Sequence, residues 1–480
     1  MVNLHLAAVC LAAASALMVE PSTSMPTTST SSIRSPIDHP ITKRRFQLPK
    51  FENEDELVEW TEQHKAALRL KYASKLQDSQ KRETELAEER RRKRKRSLLG
   101  VRDSSSSVGD VSLINYQHDS TFYAPVSIGT PSQSVNLVLD TGSSDMWTVQ
   151  GKENWNPASS TTFSNSTTPF KITYGSGSVS GTLASDSVTL AGQTANSQKF
   201  AIATYISSGL LGNAVEGIMG LGFPSLSTSK STPFWQNVGA NEFSFYLASD
   251  NSTDLSSYSD KAIGGTFTLG GRNSSLFKGD INWSDVIDES YWLITLGGVT
   301  VNDQSVNLEG TNKVAVDTGT TLIGAPATVV DQIYGQIQNS KQMSTGYYTF
   351  PCNENTISAT LHFGNQEYTL TSEDLIAGTV DSTNTNCLGA FFSIGSTSKD
   401  ELQYILGDAF LMNVYSIFSN ANKTAKVGFA SLADGLGSST ASRTVNSVVA
   451  ANSALVSTNL NSYVFITLTL FVAFITTFLV

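Results

Sequence analysis

Cysteine, histidine and basic charge are all scarce in this chain, and each scarcity closes off a class of chemistry. Three cysteines in 480 residues cannot build a disulfide scaffold or a set of zinc knuckles. Of the five histidines, only His118 and His362 lie beyond residue 96. There is no HExxH pair and no GxSxG element, so zinc-hydrolase and serine-triad assignments lack their parts, and no metal or cofactor is implied. The first 96 residues hold 18 of the 32 Lys and Arg and 13 of the 42 Asp and Glu, leaving 14 basic and 29 acidic side chains for the rest. A body so acidic offers no basic face for phosphates, which argues against nucleic acid as a partner. It suits work in acid, where carboxylates protonate and self-repulsion falls.

What is there points to a secreted precursor of several parts. Met1 to about Met18 is apolar and alanine-rich but too short to span a bilayer, the pattern of a signal peptide. Residues 19–96 then read as a propeptide. Within it Phe51 to about Lys75 is charged, free of Gly and Pro, and offers Leu57, Trp60, Ala67, Leu68 and Leu70 to a helix face. The basic run 90–96 (RRRKRKR) reads as a solvated tail or, behind a signal peptide, as a site where a dibasic-processing protease cuts after Lys95-Arg96. At the far end, residues 433–462 form a Ser/Thr-rich stalk and residues 463–480 an uncharged apolar run with no basic residue after it. Small residues, a polar spacer and such a tail spell a GPI signal with Asn452 as attachment site, the alternative being a membrane helix at the chain end. Membrane attachment through that anchor at the cell surface or cell wall is the resulting expectation.

Between these parts the chain changes to short alternating runs such as FYAPVSIG, SVNLVLD and YWLITLGGVTV, bounded by Gly, Asn, Ser and Asp, which predicts an all-β body. One helix is expected near Ala327 to Gln338. Five Asn-x-Ser/Thr sequons, at Asn165, Asn251, Asn273, Asn282 and Asn422, fit the secretory route. Cys352 and Cys387 are either a bridged pair, closing a loop worth roughly 3 to 4 kcal/mol, or two buried thiols.

One block occurs twice. LVLDTGSSDMW (137–147) and VAVDTGTTLIG (314–324) each place Asp-Thr-Gly and two hydroxyl residues after an apolar strand, and each is followed by an apolar-apolar-Gly element, Ile218-Met219-Gly220 and Ile405-Leu406-Gly407. The order implies two homologous lobes, 111–300 and 301–432. Bringing Asp140 and Asp317 together has a chemical purpose: two carboxylates about 3 Å apart repel by about 5 kcal/mol at an effective dielectric near 20, so one proton is shared between them. Aspartic proteases are themselves the standard example of that split titration. One carboxylate then acts as general base on a water while the other polarises a carbonyl. Gly142 and Gly319 allow the tight turn behind each Asp, Thr141 and Thr318 can bond across the interface, and Ser143 and Thr320 are placed to donate to the carboxylates.

From about Tyr116 to Leu432 the motifs VLDTGSSDMW, ITYGSGSVSGTL, GIMGLG, YWLITL, AVDTGTTL and ILGDAFL, in that order, resemble the pepsin family of aspartic proteases. The resemblance implies a bilobal fold with the active site between the lobes, and acid hydrolysis of protein or peptide substrates by a monomer. It implies a flap hairpin at Lys171 to Thr182 whose Tyr174, Gly175 and Ser176 cover the substrate, with Tyr174 against Trp147. It also implies a Cys352–Cys387 disulfide and a Lys71-Tyr72 pair that plugs the dyad of the precursor. Two departures stand out: the family's small first-lobe disulfide has no cysteines here, so the loop after Trp147 is held otherwise or is mobile, and Ser419 stands in YSIFSN where Asp is common. The basic processing site, Asp145 and the anchor tail resemble fungal yapsin-like and candidapepsin-like surface proteases. Asp145, Glu153, Asp186 and Glu216 are candidates for drawing basic substrate side chains, or for plain solvated surface. The competing reading is a catalytically inactive, protease-like wall glycoprotein or binding protein.

Overall fold

The computed structural model describes residues 54–73, 107–117, 119–149, 155–174, 177–207, 210–250, 261–308, 310–354, 356–381, 383, 385–395, 402–436 and 443–444. Residues 1–18, most of 19–96 including Lys95 and Arg96, most of 433–462 including Asn452, and residues 463–480 lie outside them, as do Glu153, Gly175, Ser176 and Asn251.

The body is mostly β, as the alternating pattern predicts. The duplicated blocks build the same local structure twice. Gln133–Asp140 runs parallel to Gly217–Gly220, with Asp140 opposite Gly220, and Gly217–Gly220 in turn runs antiparallel to Met146–Val149. In the second lobe Lys313–Val316 runs parallel to Tyr404–Leu406, which pairs antiparallel with Ile323–Pro326. The companion glycines are needed because the Asp-Thr-Gly loop crosses directly over them. A Cβ on Gly220 would collide with the backbone of Ser144, and one on Gly407 with the carbonyls of Thr320 and Leu322.

The two halves are joined by six strands that continue, through Gly109–Tyr116 and Thr121–Ile128, into the sheet of the first lobe. Phe277–Asp285, Lys426–Leu432, Tyr415–Ser419, Glu242–Leu247, Lys261–Leu269 and Gly109–Tyr116 lie side by side in that order. Above them Phe223, Trp235, Phe243, Trp292 and Phe418 pack ring on ring at 4.5 to 6.2 Å. The lobe boundary expected at residue 300 needs correction: Trp292–Thr295 hydrogen-bonds to Lys313–Val316, and Gly298–Val301 to Ala359–Phe363, so the second lobe takes in chain before that point. An apolar run marks a strand but does not name its partner.

Two helices lie where expected, with shorter bounds: Glu54–Ala73 near the start of the described chain and Ala327–Tyr334, which gives way at Gly335. The Cys352–Cys387 bridge is formed, Cα to Cα 5.1 Å. Without a first-lobe disulfide, the chain after Met146–Val149 is pinned by an aromatic anchor. Trp155 is buried with Phe163 and Phe200 at 6.3 and 5.8 Å. Trp155→Ala should therefore cost about 3 to 5 kcal/mol and lower the thermal midpoint by several degrees, read by calorimetry against the unaltered protein.

Candidate active site

Asp140 and Asp317 each end an apolar strand at the lobe interface, and both are buried. Each carboxylate is held in the same way by its own loop. The Gly142 N–H donates to Asp140 Oδ1 at 2.8 Å and the Ser143 hydroxyl to Oδ2 at 2.5 Å. The Gly319 N–H donates to Asp317 Oδ1 at 2.9 Å and the Thr320 hydroxyl to Oδ2 at 2.6 Å.

The threonines lock one loop to the other. The Thr141 N–H donates to Thr318 Oγ1 at 3.1 Å and the Thr318 N–H to Thr141 Oγ1 at 3.0 Å. Their hydroxyls then cross the interface, Thr141 to the Val316 carbonyl at 2.8 Å and Thr318 to the Leu139 carbonyl at 2.6 Å. Every buried polar group in this knot is answered from the opposite lobe, which fixes the separation of the two loops. The approach is close enough that a Cβ on Gly142 would run into the Asp317 carboxylate, and one on Gly319 into that of Asp140.

Lys71 fills the space between the carboxylates. From the end of the helix Glu54–Ala73 its Nζ donates to Asp140 Oδ1 at 3.0 Å and to Asp317 Oδ1 and Oδ2 at 3.1 and 2.8 Å. Tyr72 adds its hydroxyl to Asp317 Oδ2 at 2.6 Å, and its ring lies 4.9 Å from that of Tyr291. The charges settle accordingly. Burial would push the Lys71 ammonium down, but the two carboxylates beside it outweigh that and hold it above its ordinary value. Burial would likewise raise Asp317, yet Lys71 and the hydrogen bonds it receives hold it well below the carboxylate range. Asp140 goes the other way, raised by burial despite the attraction of Lys71, with Asp317 pushing it further.

Not every expected residue belongs to the site. Asp145 is buried and spent on Ser227, Thr228 and Ser229 at 2.5 to 3.1 Å, Asp186 on Ser160, Thr162 and Ser187, and Glu216 on the Asn136 N–H. They brace loops, so as candidates for drawing basic substrates these three are corrected. Two of the sequon asparagines make side-chain bonds, Asn282 Nδ2 to the Phe363 carbonyl at 2.7 Å and Asn273 Nδ2 to Asp110 Oδ2 at 2.8 Å. Trp147 is wholly buried, and Tyr174 closes the strand Ser164–Tyr174, its side chain outside the described residues.

Sequence reasoning passed over Asp408. It is buried beside the dyad, its N–H donates to the Thr320 carbonyl at 2.8 Å, and its Oδ1 has no hydrogen-bond partner among the described residues. Its position directly after the companion Gly407 was the available signal.

A sequence profile described as eukaryotic aspartyl protease matches residues 121–432. The chain belongs to that family, the pepsin-type aspartic proteases. The protease is 33% identical over 462 residues to the major aspartyl peptidase 1 of Cryptococcus neoformans var. grubii, covering 90% of this chain and 89% of that one. Over 350 residues it is 32% identical to pepsin A of Sus scrofa (69% and 86% covered), and over 359 residues 32% identical to cathepsin D of Gallus gallus (69% and 85%). It is a hydrolase of peptide bonds.

Burial, followed by the charges of Asp317 and Asp119, pushes the Asp408 carboxyl well above the carboxylate range. A raised carboxyl stabilises the fold below the unfolded value near about 3.9 and loses that contribution as pH rises towards its folded value. Asp408→Asn should thus match the unaltered protease in stability at pH 3 and exceed it at pH 7 by on the order of 1 to 2 kcal/mol, measured by denaturant unfolding at both pH values. Equal stability at both would show Asp408 to be ionised.

Proposed function

We propose that this protease is a secreted endopeptidase of acidic compartments or surfaces, made as a precursor and latent until its propeptide leaves. The observation that carries the reading is the double capture of Lys71 by Asp140 and Asp317, because it puts a removable cation where the attacking water and the scissile carbonyl must sit. With Lys71 gone, the carboxylates share one proton. The ionised one takes a proton from water as it attacks, and the protonated one polarises the carbonyl and then helps the amine leave.

Three groups set the sign of the pH dependence: His64, lowered by burial to about 4, favours the docked propeptide above about 6.5 and ceases to as pH falls through about 4. Asp317, lowered by docking, favours the docked propeptide above the free carboxylate value of about 4 and ceases to as pH falls through its own depressed value. Lys71, raised by docking, favours it below about 10.4 and ceases to only in alkali. Release therefore comes on acidification. Cutting after Lys95-Arg96 would then make the release permanent.

The remaining features are read from sequence and support a cell-surface enzyme: signal peptide, stalk and GPI-type tail, as in yapsin-like and candidapepsin-like fungal proteases. Glycans are assigned to Asn165 and Asn422, which are exposed, and a monomer is the working form. Substrates are proteins or peptides.

The processed enzyme should cleave a denatured protein at pH 3 to 5, stop on addition of a statine-type inhibitor, and lose at least 1,000-fold in kcat as Asp140→Asn. Retained cleavage in Asp140→Asn would refute the mechanism and leave a binding protein of the same fold. Before processing, the full-length chain should bind no statine-type inhibitor at pH 6, whereas Lys71→Ala should bind it stoichiometrically. A Lys71→Ala chain that still excludes the inhibitor would show that the ammonium is not the plug.

A further inference from the structure

The propeptide helix touches the body at a second place, which the chemistry of the dyad does not use. Leu57, Thr61, Leu68 and Tyr72 are buried along one face, at a spacing of four, seven and four, and the face meets the second lobe at Thr345, Tyr347 and Phe392. Tyr347 and Phe392 stack on each other at 5.2 Å and 12°. His64 sets its edge on Phe392 at 5.4 Å, meets the Tyr347 hydroxyl through Nδ1, and is itself stacked under Trp60 at 5.2 Å and 6°. Thr61 donates to the Thr345 hydroxyl at 2.9 Å and Lys65 to the Thr345 carbonyl at 2.6 Å.

The backbone around the Tyr347–Phe392 pair is held by bonds within the body. The Met343 N–H donates to the Tyr347 carbonyl at 2.8 Å, and the Ser393 N–H to the Gly346 carbonyl at 2.9 Å. Gly346 turns the loop at φ +85°, and a side chain there would crowd Lys65 and Ser393. Behind Phe392, the Tyr334 hydroxyl donates to the Phe391 carbonyl at 2.9 Å and accepts its N–H at 3.1 Å. The stacked pair therefore keeps its place when the helix departs and loses its apolar cover, leaving two preorganised ring faces at a cleft wall.

We infer that Tyr347, Phe392 and Thr345 form a substrate-selecting site of the processed protease, which takes an aromatic side chain lying three to five residues from the scissile bond. This deepens the proposed function and rests on it. The position follows from the helix: His64 and Trp60 precede Lys71 by seven and eleven residues, about 10 and 16 Å of helix, which an extended chain covers in about three to five residues. The preference for aromatic side chains follows from the present occupants, two rings on two rings. Burial pushes His64 down to about 4, so the ring set on Phe392 is uncharged, while the Lys65 ammonium stays on the Thr345 carbonyl beside it.

The test is a panel of peptides for the processed enzyme that share one cleavable bond and carry Trp or Ala at the third, fourth or fifth position on either side. Trp at one of these positions should raise kcat/KM about tenfold, chiefly through KM, and Phe392→Leu should cut that preference below twofold. A panel with no preference above twofold, or a preference that survives in Phe392→Leu, overturns the inference. A readout that leaves the enzyme unaltered is inhibition by the synthetic peptide 54–73. Trp60→Ala with His64→Ala in that peptide should weaken inhibition at least tenfold, and equal inhibition overturns the site. If no peptide is cleaved, the catalytic reading fails by itself, and the site is judged on direct binding by fluorescence anisotropy, where Trp and Ala peptides of equal affinity overturn it.

Discussion

Reciprocal hydrogen bonding between Thr141 and Thr318 sets the distance at which the rest of the active site operates. Each threonine donates its N–H to the other's hydroxyl and its own hydroxyl to a carbonyl beyond, so neither loop can move without leaving buried donors unanswered. Two carboxylates that repel in a water-poor interior would otherwise part. The strands, companion glycines and shared sheet deliver the loops, and the threonines keep them together under that repulsion. Ser143 and Thr320 then orient the oxygens, and the proton asymmetry of the pair becomes a property of the fold.

The same proximity explains why one lysine engages both carboxylates. A cation placed between two like charges gains from both, enough to reverse what burial alone does to an ammonium. The helix Glu54–Ala73 supplies that cation at one end and an aromatic contact at the other. The helix therefore measures the cleft from the dyad to the Tyr347–Phe392 wall.

The dyad and its threonines were legible in the residues because a duplicated motif announces itself, whereas the plug was legible only through the family resemblance, since a lysine on an exposed helix looks the same in sequence. Mostly β structure was legible from alternation. Partnership was not: the run at Trp292–Thr295 looks like any buried strand, and only its register on Lys313–Val316 assigns it to the second lobe. Acidic residues misled for a related reason. Asp145, Asp186 and Glu216 read as surface charge, yet each is held by a hydroxyl or N–H group that lies 24 or more positions away in sequence. Asp408 was hidden by its own motif, where a short apolar block drew attention away from the residue that follows it.

The sheet beneath the two lobes carries a consequence for synthesis. Its strand Glu242–Leu247 finds one neighbour in the next described strand, Lys261–Leu269, but the other is Tyr415–Ser419, far later in the chain. Until that late segment emerges from the ribosome, the early half presents an open row of N–H and C=O groups and a Phe243 that lacks the Phe418 ring stacked on it at 5.1 Å in the finished protein. A chain built this way cannot complete one lobe and then the other. Both must wait for the same strand, and the nascent half needs protection from pairing with its neighbours on the polysome.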